Sequence, residues 1–280
     1  MIRTILVPLT AELSSEPRLD AALVLARRVN AHIRALFIFP NPDALLACIP
    51  EAAGVTREVI ERETREAAAK EKERFIGWRT RKNLPETAGE RLDTCVATWT
   101  EHIGEIEAVV TRYGRLGDLI VVPRTDLGSV QAQRCFDAAV FGTGRPTLVV
   151  SGALPSDMTN HVMIGWNGSL EASRAVHGAM PILQLAKRVS IFAPPQYDTE
   201  GVDPTDLAES LSWHGIRAHQ VPRPRDENST GTALVSAAVE QDATMIVMGA
   251  YTHSRLRQSF LGGVTRHLLA WTPVPLLMAH

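Results

Sequence analysis

Residues 249–265 read Gly-Ala-Tyr-Thr-His-Ser-Arg-Leu-Arg-Gln-Ser-Phe-Leu-Gly-Gly-Val-Thr, a stretch dense in groups that bind anions. Gly249 stands where an apolar run ends, and a residue without a Cβ lets backbone N–H groups approach a ligand closely. Gly262 and Gly263 stand just before an apolar helical pattern carried by Val264, Leu268 and Leu269. Free N–H groups and the helix dipole at such a start favour phosphate. Arg255, Arg257, His253, Ser254, Ser259 and Thr265 add donors in the same neighbourhood. After Val150 the chain has nine basic residues, and three of them (Arg255, Arg257, Arg266) fall in this one stretch. The implied chemistry is recognition of an anion, phosphate above all.

Such a loop needs a strand before it and a helix after it, and the chain supplies that arrangement twice. Thr4–Leu9 and His161–Trp166 are apolar runs that read as buried strands, each followed by a polar turn and a helical pattern. In the first half the turn holds Ser14, Ser15 and Pro17, after which Leu19, Ala22, Leu23, Ala26 and Val29 share a helical face. In the second half Asn167-Gly168-Ser169 form the turn, with Ser169 as N-cap of a helix carrying Ala172, Ala175, Val176 and Ala179. Pro181 is predicted to end or kink that helix. Further strands pair off between the halves: 32–39 with 188–193, 92–99 with 217–221, 118–123 with 244–249, and 145–150 with 272–278.

Nearly continuous apolar strands that alternate with helices call for a parallel sheet covered on both faces. The expected fold class is therefore α/β: two doubly wound, five-stranded parallel-sheet domains of three-layer α/β/α type, in a pseudo-two-fold tandem. Their expected bounds are 1–152 and 158–280, with the linker in the Gly/Pro/Ser-bearing stretch 151–160. One insertion breaks the symmetry. Arg57–Lys82 predicts a charge-dense helix with Glu58/Arg62, Glu61/Arg65 and Glu66/Lys70 one turn apart. Its apolar side is thin (Ile60, Ala67, Phe75, Trp78), which predicts a solvated helix lying over the domain surface.

The tandem pattern, and above all Val247-Met248-Gly249 through Gly262-Gly263-Val264-Thr265, resembles the universal stress protein family in its two-domain form. The resemblance spans essentially the whole chain. Nucleotide-binding members carry Gly-x-x-Gly, nine further residues, then Gly-Ser or Gly-Thr. Here Gly249 fits the first position, Thr252 stands at the second, and Gly262 fits the third glycine after the spacer 253–261. Gly263 takes the Ser/Thr position, and Thr265 falls where members often have another phosphate-contacting hydroxyl. Asn167 stands in place of the family's adenosine-contacting acid. Thr252 restricts the loop if its backbone must take φ > 0, while Gly263 keeps the N–H that a phosphate would use.

The resemblance implies an adenine nucleotide of the ATP class, with Mg²⁺, in the second domain. Asn167 would lie at the ribose, Met248 and Gly249 near base and sugar, and Gly262, Gly263, Val264 and Thr265 around the phosphates. In the first half Pro123 replaces Gly249 and supplies no N–H, and Thr10 replaces the acid. That half is expected to be a structural partner that has lost a site. Family dimers form through their last strands, so Thr147–Ser151 and Pro275–Ala279 are expected to pair within the chain as an internal pseudo-dimer. A homodimer of chains is open as well.

Composition limits the alternatives. The chain has 280 residues, a net charge of −2 and 45% hydrophobic residues. The balance argues against nucleic acid or anionic lipid as a general partner, and no apolar run approaches the roughly 18 residues of a membrane span. Three separated cysteines (Cys48, Cys95, Cys135) form neither a disulfide framework nor a metal motif, which points to a reducing, cytoplasmic setting. No G-x-S-x-G elbow and no P-loop lysine motif occurs. Asp226 and Glu227 are carboxylates placed where they could hold Mg²⁺, though a solvated turn is the role their position favours. The expected protein is a non-enzymatic nucleotide binder of the stress response; the competing expectation is a scaffold that acts through protein contacts or another small ligand.

Overall fold

The computed structural model describes residues 1–11, 14–47, 56–87, 94–125, 129–150, 154–194, 202–222, 229–250 and 263–280. Two compact units divide the chain. The first is Met1–Val122 with Ser129–Thr143, the second Pro123–Gly128 with Gly144–His280.

The first unit runs β1 (Thr4–Leu9), α1 (Glu16–Val29), β2 (His32–Phe39), α2 (Pro42–Leu46), α3 (Arg57–Arg81), β3 (Val96–Ile103), α4 (Ile106–Gly114), β4 (Leu119–Pro123) and α5 (Val130–Asp137), which passes into a π-helical turn at Ala138–Gly142. Its strands lie in the order β3-β2-β1-β4 and pair in parallel. β1 is therefore the strand at which the order reverses. Buried β-branched and leucine side chains fill it (Ile5, Leu6, Val7, Leu9), as a strand covered on both faces requires.

The second unit runs β5 (Thr147–Val150), β6 (His161–Gly165), α6 (Leu170–Leu183), β7 (Arg188–Phe192), α7 (Pro204–Trp213), β8 (Ala218–Gln220), α8 (Thr230–Glu240), β9 (Met245–Gly249), α9 (Gly263–Trp271) and β10 (Leu276–Ala279). Its order is β8-β7-β6-β9-β10-β5, and β6 is the reversal strand. All its ladders are parallel except β10 with β5, which is antiparallel with Leu276 opposite Val149 and Met278 opposite Thr147. The expected pairing of the two last strands thus occurs, and it draws β5 into the second unit.

Several elements depart from their predicted forms. The strand expected at 92–99 runs instead over Val96–Ile103, with 92 and 93 outside the described residues. Its polar second half (Thr98, Thr100, Glu101, His102) is compatible with the outermost place in its unit, where one long side has no strand neighbour among the described residues. Pro181 does not end α6, which continues to Leu183. Ile182 and Leu183 are both buried and hold the last turn in place. Helix α3 is more firmly docked than a thin apolar side implies. Phe75 and Trp78 are each 1% exposed, Phe75 packs against the Trp99 ring, and Ala68 rather than Ala67 is buried.

Candidate functional site

In the second unit, the site predicted from sequence lies at the carboxyl ends of β6 and β9, which are hydrogen-bonded neighbours with Gly165 beside Met248. This is the position at which doubly wound sheets bind ligands. Past the end of β6, the Trp166 N–H donates to the Phe192 carbonyl (2.8 Å), and the buried indole donates to the Val202 carbonyl (2.7 Å). The next three residues form the predicted turn, with Gly168 at φ 71°, in the left-handed region that glycine accepts at no steric cost.

A short chain of hydrogen bonds then starts α6. The Ser169 Oγ donates to the Asn167 Oδ1 (2.8 Å), the Ser169 N–H donates to the same oxygen (3.3 Å), and the Ala172 N–H donates to the Ser169 Oγ (3.2 Å). Ser169 is the N-cap that the sequence predicts. The Asn167 acceptor is already engaged within the turn, so a ribose hydroxyl would have to share that oxygen or meet the amide nitrogen.

Gly249 closes β9 against the first turn of α6. A Cβ built there would lie 2.5 Å from the Ala172 backbone nitrogen and 2.7 Å from the Glu171 carbonyl carbon. The glycine that the sequence assigns to close approach of a ligand is thus also demanded by close approach of α6. Met248 is buried, and the following Ala250 N–H donates to the Ala279 carbonyl (2.8 Å).

On the far side of the connection α9 begins at Gly263, with Val264 half-buried and Thr265 buried. The structure therefore places Asn167, Met248 and Gly249 at the ends of two adjoining strands, and Gly263, Val264 and Thr265 in the first turn of the returning helix. Thr252 and Gly262 lie outside the described residues, as do His253, Ser254, Arg255, Arg257, Ser259, Asp226 and Glu227. Among the described residues no group of three or more His, Cys, Asp or Glu is placed to hold a metal ion.

The corresponding end of β1 in the first unit is filled by its own side chains. Arg18 is 2% exposed, and its guanidinium donates to the carbonyls of Pro8 (2.6 Å) and Ser14 (3.3 Å). Burial pulls its pKa down to about 10, against the opposing fields of Cys135 and Glu71. Burial likewise pushes the Cys135 thiol up to about 11, with Arg18 pulling the other way. Thr10 is buried, and its Oγ1 has no hydrogen-bond partner among the described residues. The burial of Arg18 at this strand end was not anticipated from the sequence. One signal lay in the sequence: Arg18 sits at i, i+4 and i+7 spacing with Ala22 and Leu25, on the face that the sheet buries.

Comparison with known proteins agrees with this architecture. Residues 158–280 match the family model described as "Universal stress protein family". Residues 158–280 carry the universal stress protein match. The whole chain also shares its fold with solved members: a universal stress protein from Archaeoglobus fulgidus superposes with TM-score 0.67 at 14% identity, covering 99% of this chain and 95% of that one. A proposed universal stress protein from Pseudomonas aeruginosa gives TM-score 0.53 at 14% identity, with 99% and 93% covered. No curated protein matches. The resemblance to a tandem universal stress protein is thus met by the family model in the C-terminal half and by the shared fold across both. Among the described residues no helix is long and apolar enough to cross a membrane.

Proposed function

We propose that the universal stress protein domain of the second unit binds an adenine nucleotide of the ATP class, with Mg²⁺, as a non-enzymatic element of a cytoplasmic stress response. The observation that carries this reading is the convergence of small residues at the reversal point. Gly249 ends β9 beside the end of β6, and the same connection returns to a helix whose first residue is Gly263. A helix start of that kind offers free N–H groups and the positive end of a dipole to phosphate. Asn167, at the head of the turn after β6, supports the ribose role, and the Thr265 hydroxyl in the first turn of α9 supports a phosphate contact.

Calorimetric titration of the full chain with ATP and Mg²⁺ tests this directly. Saturable heat is expected, abolished by Gly262→Asp, which sets a carboxylate against the phosphates, and unchanged by Pro123→Ala. Absence of heat at millimolar nucleotide would remove the proposal and leave the scaffold reading. Rapid, catalytic release of phosphate would overturn the non-enzymatic part alone.

A further inference from the structure

We propose that the cleft of the first unit is an oxyanion site filled in cis: the Glu71 carboxylate, carried by the long helix α3, occupies the N-terminal end of α1, where an acidic ligand would otherwise sit. Ser15 is the N-cap residue of α1, yet its side chain makes no capping bond to the helix. Its hydroxyl instead donates to the Glu71 Oε2 (3.3 Å), and Arg74 donates to the Oε1. Arg18, one turn into α1, is buried within the field of the same carboxylate. Glu71 is itself 4% exposed. A carboxylate is buried that deeply only where cations, donors or a helix dipole replace its water, and here all three are present. Thr10, two residues past the carbonyl that Arg18 holds, adds a buried hydroxyl with no partner among the described residues.

Helix α3 is fastened to α1 in a way that delivers this one group. The Trp78 indole donates to Asp20 (2.8 Å), Lys82 pairs with the same carboxylate (2.8 Å), and Arg81 pairs with Glu16 (2.9 Å). Glu71 lies on the apolar stripe of α3, between Ala68 and Phe75, where a carboxylate has no packing purpose. Between β7 and β8 the second unit carries the shorter α7 (Pro204–Trp213) in the place of α3, and its α6 is capped by its own Ser169. With the two caps aligned, Ala172 stands where Arg18 stands. The first cleft has therefore kept anion chemistry and supplied its own anion; the ligand class it fits is a carboxylate or phosphate group.

Chemical rescue in the full chain tests this independently of nucleotide binding in the second unit. Glu71→Ala is expected to lower Tm, and inorganic phosphate or acetate is expected to restore it by several degrees, saturably, relative to chloride at equal ionic strength. A larger response to phosphate would assign a phosphate-sized hole, and a larger response to acetate a carboxylate-sized one. The wild-type chain and Arg18→Met/Glu71→Ala are expected not to respond. No anion response in Glu71→Ala, or the same response in all three proteins, overturns the proposal. Should Glu71→Ala fail to fold, a double-mutant cycle between Glu71→Gln and Arg18→Met decides: strongly non-additive Tm losses support the proposal, and additive losses overturn it.

Discussion

The two reversal strands, β1 and β6, lead into clefts that differ in what fills them. Beyond β6 small residues stand at three of the described positions: Ala172 in the first turn of α6, Gly249 at the end of β9, Gly263 at the head of α9. Beyond β1 the corresponding space holds a buried arginine and a buried carboxylate, with proline where the second unit has glycine. Both ends keep the electrostatics of a helix start, so the repeat has diverged in its occupant rather than in its polarity.

The sharpest way to break this comparison is to enlarge the glycine. Gly249→Val should cost roughly 3 kcal/mol or more, because its Cβ meets the backbone of α6 rather than a side chain that could swing away. Pro123→Val, at the equivalent strand end, should stay within about 1 kcal/mol by the same measure. Urea melts of the two variants decide, and a Gly249→Val protein as stable as the parent would mean that α6 does not pack there.

The next effect comes from placing the same new charge at both helix starts. Ser169→Asp should change stability by only a few tenths of a kcal/mol, roughly the spread among good N-caps. Ser15→Asp should cost roughly 3 kcal/mol, because it sets a second carboxylate against buried Glu71. Equal losses in the two variants would show that the two helix starts are alike after all. Removing the cap outright is smaller and local: Ser169→Ala should cost about 1 kcal/mol, since the Ala172 N–H loses its acceptor. Hydrogen exchange at the first turn of α6 would register it.

The comparison also explains what the sequence could and could not reveal. Strands with unbroken apolar runs, such as Ile5–Val7 and Met245–Met248, were legible because burial on both faces leaves no other composition. The third strand of the first unit was displaced by several residues because an outermost strand tolerates Thr, Glu and His. Gly249 stood out by its place at the end of an apolar run, whereas Asn167 and Thr265 were assigned their roles by the family resemblance. Their local bonding could not, since the Asn167–Ser169–Ala172 relay depends on turn geometry that no pattern encodes. Glu71 was hidden among the many charges of α3. It becomes visible only when its position on the Ala68–Phe75–Trp78 stripe is weighed against its chemistry.

Acid should produce the smallest effect, and it should act on both units. Each carries a histidine at the amino end of a strand: His32 on β2, beside the reversal strand, with its Nε2 2.6 Å from the Thr98 hydroxyl, and His161 on the reversal strand β6. His161 is satisfied as a neutral ring, with Nδ1–H donating to the Gln241 carbonyl (2.8 Å) and Nε2 accepting from the Ser190 hydroxyl (2.8 Å). Burial lowers its pKa, with Arg188 adding to the shift and the Gln241 carbonyl opposing it. Burial, then Arg34, lowers that of His32. An unfolded histidine takes up its proton near pH 6.5, before the folded one does, so protonation favours the unfolded chain. The stability held by each neutral ring is therefore complete above about pH 6.5 and declines as the pH falls from there toward the lower folded value. Urea melts between pH 7.5 and 5 should show this decline, and His161→Gln and His32→Gln should each remove part of the slope. A stability that held level or rose over that range would mean that neither ring is buried neutral.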